Sequence, residues 1–82
     1  MAKYDKSIEM WNNMLALDSK NIDALNGIGT ALMSKNQIDN AIAMFKKAFE
    51  YQPNNPLTKN NLVWAMNEKL KLQTSDKYKQ AR

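Results

Sequence analysis

The chain of 82 residues contains no cysteine and no histidine. Disulfide cross-links, cysteine nucleophiles, zinc sites built from these residues and catalytic pairs that use imidazole are therefore excluded. Glycine and proline occur only twice each, which argues against a set of strands joined by tight turns. We expect no catalytic residues, no metal ion and no cofactor.

Acidic residues are scarce in the last third of the chain. Residues 1–56 carry equal numbers of lysines and acids, so the net charge of +4 arises entirely from residues 57–82. A basic segment can attract nucleic acid, acidic proteins or anionic lipid. Lysine also suits the C-terminal end of a solvated helix, where it faces the negative pole of the backbone dipole. We favour the second interpretation, and expect neither nucleic acid nor a membrane as partner.

Long apolar runs are also missing. No run approaches the length of a bilayer-spanning helix, and the start of the chain does not resemble a secretory signal. The cytoplasm is accordingly the default expectation for its location.

Apolar residues recur at steps of three and four along the whole chain, which indicates helices throughout. The first face, for example, consists of Tyr4, Ile8, Trp11 and Leu15. Four helices are predicted, over residues 4–17, 23–34, 38–51 and 57–72. Asn36 is expected to stop the second helix in a left-handed conformation, and residues 74–76 to end the fourth or cap a last turn.

The sequence repeats itself at a fixed offset of 34 residues, which takes Trp11 to Phe45 and Asn21 to Asn55. The pairs Asp5–Asp39, Ala31–Ala65 and Lys35–Lys69 are separated by the same offset. We call this separation the repeat offset. A fixed period of this length is typical of stacked helical units.

Residues 22–55 hold one complete unit, which resembles the tetratricopeptide-repeat family. The family pattern has small and large apolar residues in a set order, ending in proline. The matching residues are Leu25, Ile28, Gly29, Leu32, Ala41, Phe45 and Pro53, with Ala48 as the small residue one turn after the aromatic.

This resemblance implies an all-α stack of antiparallel helix hairpins. The expected domain covers residues 1–73, with a half unit at 4–21, the full unit at 22–55 and a half unit or capping helix at 56–73. Residues 74–82 form a basic tail. Gly29 and Ala41 are expected to touch across the hairpin, and Phe45 and Phe49 to fill the space toward the next unit.

In the family, the first helix of each unit lines a concave face that binds a peptide. The residues here that would point that way are Asn26, Thr30, Met33, Asn60, Trp64 and Asn67. The resemblance thus implies a non-catalytic module that binds a protein or peptide. A solvated stripe is the plainer interpretation of these side chains. The alternative function is self-assembly, in which the incomplete terminal units pair between chains as a homo-oligomer.

Two other patterns invite a ligand and do not fit one. Gly27-x-Gly29 lacks the third glycine and the preceding strand of a dinucleotide-binding loop. The polar cluster of Asp18, Asn21 and Asp23 lacks the glycine and the terminal glutamate of a calcium loop. We interpret the cluster as a turn between helices that contains a helix cap.

Overall fold

The computed structural model describes residues 2–80, and within them the side chains of residues 4–73. The described residues form four helices and no strand. The helices are α1 (Ala2–Leu17), α2 (Ile22–Ser34), α3 (Ile38–Tyr51) and α4 (Pro56–Gln80). The predicted all-α class is confirmed, and the first three helices start and end within two residues of their predicted bounds.

The fourth helix is longer than predicted. Instead of ending near residues 74–76, α4 continues to Gln80. The segment contains no glycine, and no proline after Pro56, so nothing in it interrupts the helical hydrogen bonds. The side chains of the predicted basic tail, residues 74–82, lie outside the described residues.

Asparagines define the turns between the helices. The side chain of Asn21 caps α2 by accepting a hydrogen bond of 3.1 Å from the backbone amide of Ala24. Asn55, one repeat later, accepts a bond of 3.3 Å from the amide of Thr58. Asn36 has a positive φ of 63° between α2 and α3, as predicted. The repeat is therefore visible in the turns as well as in the apolar pattern.

The core forms where α2 packs against its neighbours. It packs against α1 and α3, while α4 packs mainly against α3 and also touches α2. One apolar cluster joins α2, α3 and α4, and consists of Met33, Ile38, Ala41, Ile42, Phe45 and Ala65. A second cluster lies nearer the other end of α2, and its buried members are Ile22, Leu25 and Ala48.

Gly29 packs against an aromatic ring. A Cβ placed on Gly29 would lie 2.7 Å from Cδ1 of Phe45, and its three nearest atoms all belong to that ring. The nearest neighbour of Gly29 in this direction is thus the ring of Phe45, and the predicted contact between Gly29 and Ala41 stays a prediction. Ala41 is fully buried in the cluster with Ala65, and Phe45 and Ala48 are fully buried too. All three residues therefore lie in the core.

Phe49 does not belong to the core, contrary to expectation. It is 37% exposed, whereas Phe45 is completely covered. A step of four residues turns a helix by about 40° beyond a full circle, which carries the ring of Phe49 away from the centre of the buried face.

Pro53 lies exposed in the turn that follows the end of α3 at Tyr51.

Candidate binding surfaces

Asn26, a predicted ligand contact, is buried between two helices. Only 4% of its surface is exposed. Its amide nitrogen donates a hydrogen bond of 2.9 Å to the hydroxyl of Thr58 in α4. Its amide oxygen faces the amide nitrogen of Asn61 at 3.4 Å. Asn26 therefore joins α2 to α4, and its predicted role in ligand binding is wrong because no ligand can reach it.

Met33, predicted on the same stripe, is also buried and packs with Ile38 and Ala65. Thr30 is exposed, and its hydroxyl donates a bond of 2.7 Å to the carbonyl oxygen of Asn26. Around the helix axis, Thr30 is rotated by about 40° from Asn26 and about 60° from Met33. That rotation takes Thr30 out of the contact with α3 and α4, so of the three predicted residues on α2 it alone faces solvent.

The three predicted residues on α4 are all exposed. Trp64 is 41% exposed, with Asn60 one helical turn before it and Asn67 one turn after it. Neither asparagine side chain forms a hydrogen bond within the described part of the chain. This stripe thus presents two amides with free donors and acceptors on either side of a flat apolar ring.

An open groove between α1 and α2 was not predicted as a site. It has a volume of about 350 Å³ and a mostly apolar lining. Its walls are formed by Tyr4, Ser7, Trp11, Gly27, Thr30, Ala31 and Ser34. A Cβ on Gly27 would come within 2.8 Å of Cδ2 of Trp11, so the indole ring lies directly on the backbone of α2. The signal that could have revealed the groove is the repeat itself, because Trp11 aligns with the core residue Phe45.

Equivalent ion pairs connect successive helices. Lys35 after α2 binds Asp5 of α1 at 2.7 Å, and Lys69 of α4 binds Asp39 of α3 at 2.8 Å. Both members of the second pair follow those of the first by the repeat offset. The hydrogen bond from Lys35, together with its positive charge, holds the pKa of the Asp5 carboxyl below its usual value. The two pairs show that α1 meets α2 in the same register as α3 meets α4.

The polar cluster at the α1–α2 turn is engaged in local hydrogen bonds. Asp18 accepts a bond of 3.1 Å from the backbone amide of Lys20, and Asn21 caps α2. No group of three acids in the described part of the chain is close enough to hold a metal ion. The interpretation of this segment as a capped turn is confirmed.

A second apolar surface runs along α4. Val63, Met66 and Leu70 are 60%, 44% and 59% exposed, and their spacing of three and four places them on one stripe.

Over the residues that the structure describes, no helix has both the length and the apolar character needed to cross a membrane.

The comparison with protein families matches residues 22–55 to the tetratricopeptide repeat. The segment covers α2, α3 and the turn that follows, with Gly29 packed on Phe45. Residues 22–55 are a tetratricopeptide repeat. On either side of this segment, α1 meets α2 as α3 meets α4, through equivalent ion pairs. The comparison with curated proteins gives no match. Tetratricopeptide repeats generally mediate interactions between proteins, and the family is typically non-catalytic.

Proposed function

We propose that this chain is a non-catalytic module that binds a peptide or a partner protein through the exposed side of α2 and α4. The observation that carries the proposal is Trp64, an aromatic residue left 41% exposed on a repeat helix. Thr30, Asn60 and Asn67 complete the surface. Asn26 and Met33 are left out because they are buried.

The chemistry of the surface suits an extended peptide. Asparagine amides can both donate to and accept from a peptide backbone, which presents the same two groups at every residue. Trp64 offers a broad rigid surface to an apolar side chain, and tryptophan is enriched among the residues that dominate binding energies. The expected ligand is therefore an extended segment with an apolar residue placed over the indole ring.

Acid–base catalysis finds no support in the described side chains. Asp5 is held in its charged form by Lys35, and a pKa lowered in this way makes a carboxyl a weaker general base and keeps it from serving as an acid. Interaction rather than catalysis is the function that these residues favour.

A direct test is to select a phage-displayed library of random dodecapeptides on the full chain and to measure affinities of the enriched peptides. Trp64→Ala should weaken their binding at least tenfold, whereas Phe49→Ala should leave it unchanged. Phe49 is a matched control because it is an aromatic residue of similar exposure, on α3. Equal affinities of the Trp64→Ala variant and the native chain would exclude the indole from the site.

Self-association is a second candidate function, and a different observation favours it. The apolar stripe of Val63, Met66 and Leu70 lies on α4, outside the Trp64 surface and outside the core. Exposed apolar stripes of this kind mark association sites when they are continuous.

A further inference from the structure

We propose that α4 of one copy of this chain docks in the groove between α1 and α2 of a second copy, in the position that α2 takes over α3 and α4 within each copy. The proposal rests on the self-association candidate given above and specifies which surfaces meet. It follows from three observations: what fills the equivalent place inside the molecule, which helix matches it, and how residue sizes are exchanged at the contact.

Inside the molecule, the place equivalent to the groove is filled. The repeat offset takes the groove residues Tyr4, Ser7, Trp11 and Ala31 to Ile38, Ala41, Phe45 and Ala65. All four of these belong to the apolar cluster that Met33 of α2 completes and Leu32 packs against. The exposure of the equivalent residues differs accordingly, since Tyr4 is 39% exposed and Ile38 only 9%. The groove is thus a copy of the central core that lacks its covering helix.

The helices around the groove and around the filled core are joined by equivalent ion pairs. The ion pair Asp5–Lys35 joins α1 to α2 as the pair Asp39–Lys69 joins α3 to α4. Since these pairs indicate the same register, the helices that form the walls of the groove have the same relative arrangement as those that form the filled core. The groove can therefore accept a helix that resembles α2.

The helix of that type within the chain is α4, which is the repeat of α2. The repeat offset takes Gly29, Leu32 and Asn36 to the stripe of Val63, Met66 and Leu70. Gly29 and Leu32 lie on the side that α2 turns toward α3, and Asn36 follows the end of α2. In α4 this side is exposed instead of packed. The same chain therefore offers both an uncovered groove and a helix whose apolar side has no cover.

The sizes of the residues at the contact are exchanged in a complementary way. In the filled core, the glycine lies on the covering helix as Gly29, and Phe45 leans on it. At the groove, the glycine is Gly27 of α2, which forms one wall, and the indole of Trp11 packs against that wall. The indole is thereby drawn toward α2, which leaves room on the open side for Val63, the counterpart of Gly29. A β-branched residue could not replace Gly29 over Phe45, whereas the proposed contact places Val63 over a ring that already lies on Gly27.

Each copy keeps one groove and one α4 after a contact of this kind. The contact is heterologous, so further copies can add in the same direction. Association is then expected to rise with concentration rather than stop at a symmetric dimer.

The test uses sedimentation velocity of the full chain over a range from low to high micromolar concentration. The native chain should exceed the monomer mass of 9.4 kDa increasingly with concentration. Val63→Glu, which places a charge on α4, and Tyr4→Glu, which places one in the groove, should each stay monomeric. Their equimolar mixture should form a dimer of twice the monomer mass, because it restores one intact groove and one intact α4.

Ala43→Glu adds the same charge at an exposed position of α3 and should associate as the native chain does. Unchanged helicity by circular dichroism keeps unfolding apart from lost contact. A native chain that remains monomeric throughout overturns self-association itself, while the peptide test on Trp64 is unaffected. Association that Val63→Glu abolishes and Tyr4→Glu does not means that α4 pairs with α4, and the proposed contact is wrong. A mixture that remains monomeric overturns it equally.

Discussion

Phe45 and Trp11 occupy equivalent places in the repeat, yet they have different surroundings. Phe45 is fully covered, between Gly29 of α2 and the small residues of α3 and α4. Trp11 is half-buried, with its indole on Gly27 and its other side toward the open groove. These two equivalent positions lie on helices in both units, and they differ in burial because a further helix covers only one of them.

The same contrast separates α2 from α4. The repeat offset relates the two helices in sequence, and both begin after a capping asparagine. The apolar side of α2 is covered by α3, whereas α4 leaves Val63 and Leu70 exposed. The burial of a repeat helix therefore depends on which neighbouring helices are present, because each repeat in a stacked architecture contacts only its neighbours.

The largest difference between the two aromatic residues should appear on truncation. Phe45→Ala is expected to lower the free energy of unfolding by about 3–5 kcal/mol, because it removes a fully buried ring and leaves a cavity. Trp11→Ala should cost less, since part of the indole is already in water and the groove around it is open. Urea denaturation of both variants, followed by circular dichroism, measures the comparison. Equal losses would mean that the two positions are equally packed.

The two glycines should respond to a methyl group with different strength. Gly29→Ala is expected to destabilise the chain by about 1–3 kcal/mol, because the added Cβ meets a ring with no space to move. Gly27→Ala meets the half-buried Trp11, which can move into the groove, and alanine favours the helix by about 0.5–1 kcal/mol over glycine. Its net effect should therefore be small. Thermal unfolding of both variants checks this, and a Gly29→Ala variant as stable as the native chain would contradict the close packing on Phe45.

The smallest effect is expected at the ion pair between α1 and α2. Since Lys35 lowers the pKa of Asp5 in the folded chain, the pair stabilises the fold above the unfolded-state pKa of about 3.8. This contribution is lost as the pH falls through the lower folded-state value. Asp5→Asn should therefore melt slightly below the native chain at neutral pH, and the difference should vanish in acid.

An NMR titration of the Asp5 carboxyl gives an independent check of this pair. In the native chain its pKa should lie below the usual value, and Lys35→Met should bring it back up. A carboxyl that titrates identically in both proteins would show that the contact does not persist in solution.

Much of the local structure could be predicted because its causes are local. Apolar spacing identified the four helices, and Asn36 marked the left-handed turn after α2. The predicted end of α4 is too early, because Thr74, Ser75 and Asp76 favour a stop less strongly than the absence of glycine and proline favours continuation.

The candidate site could be predicted only in part. Asn26 and Thr30 differ little in polarity, yet one binds Thr58 inside the molecule and the other is exposed. Asparagine on a repeat helix can serve a ligand or a neighbouring helix equally well. Since the deciding partner is 32 residues away, no local pattern distinguishes the two.

By itself the sequence determined the helices, their capping asparagines and the period that makes α1 repeat α3 and α4 repeat α2. These features depend on contacts within a turn or two of the chain, where residue type and spacing are sufficient. Only the tertiary structure decided that Gly29 packs against the ring of Phe45, that Asn26 joins α2 to α4, and that a groove remains beside Trp11. Those outcomes depend on which helix covers which face, and coverage is a property of distant segments brought together.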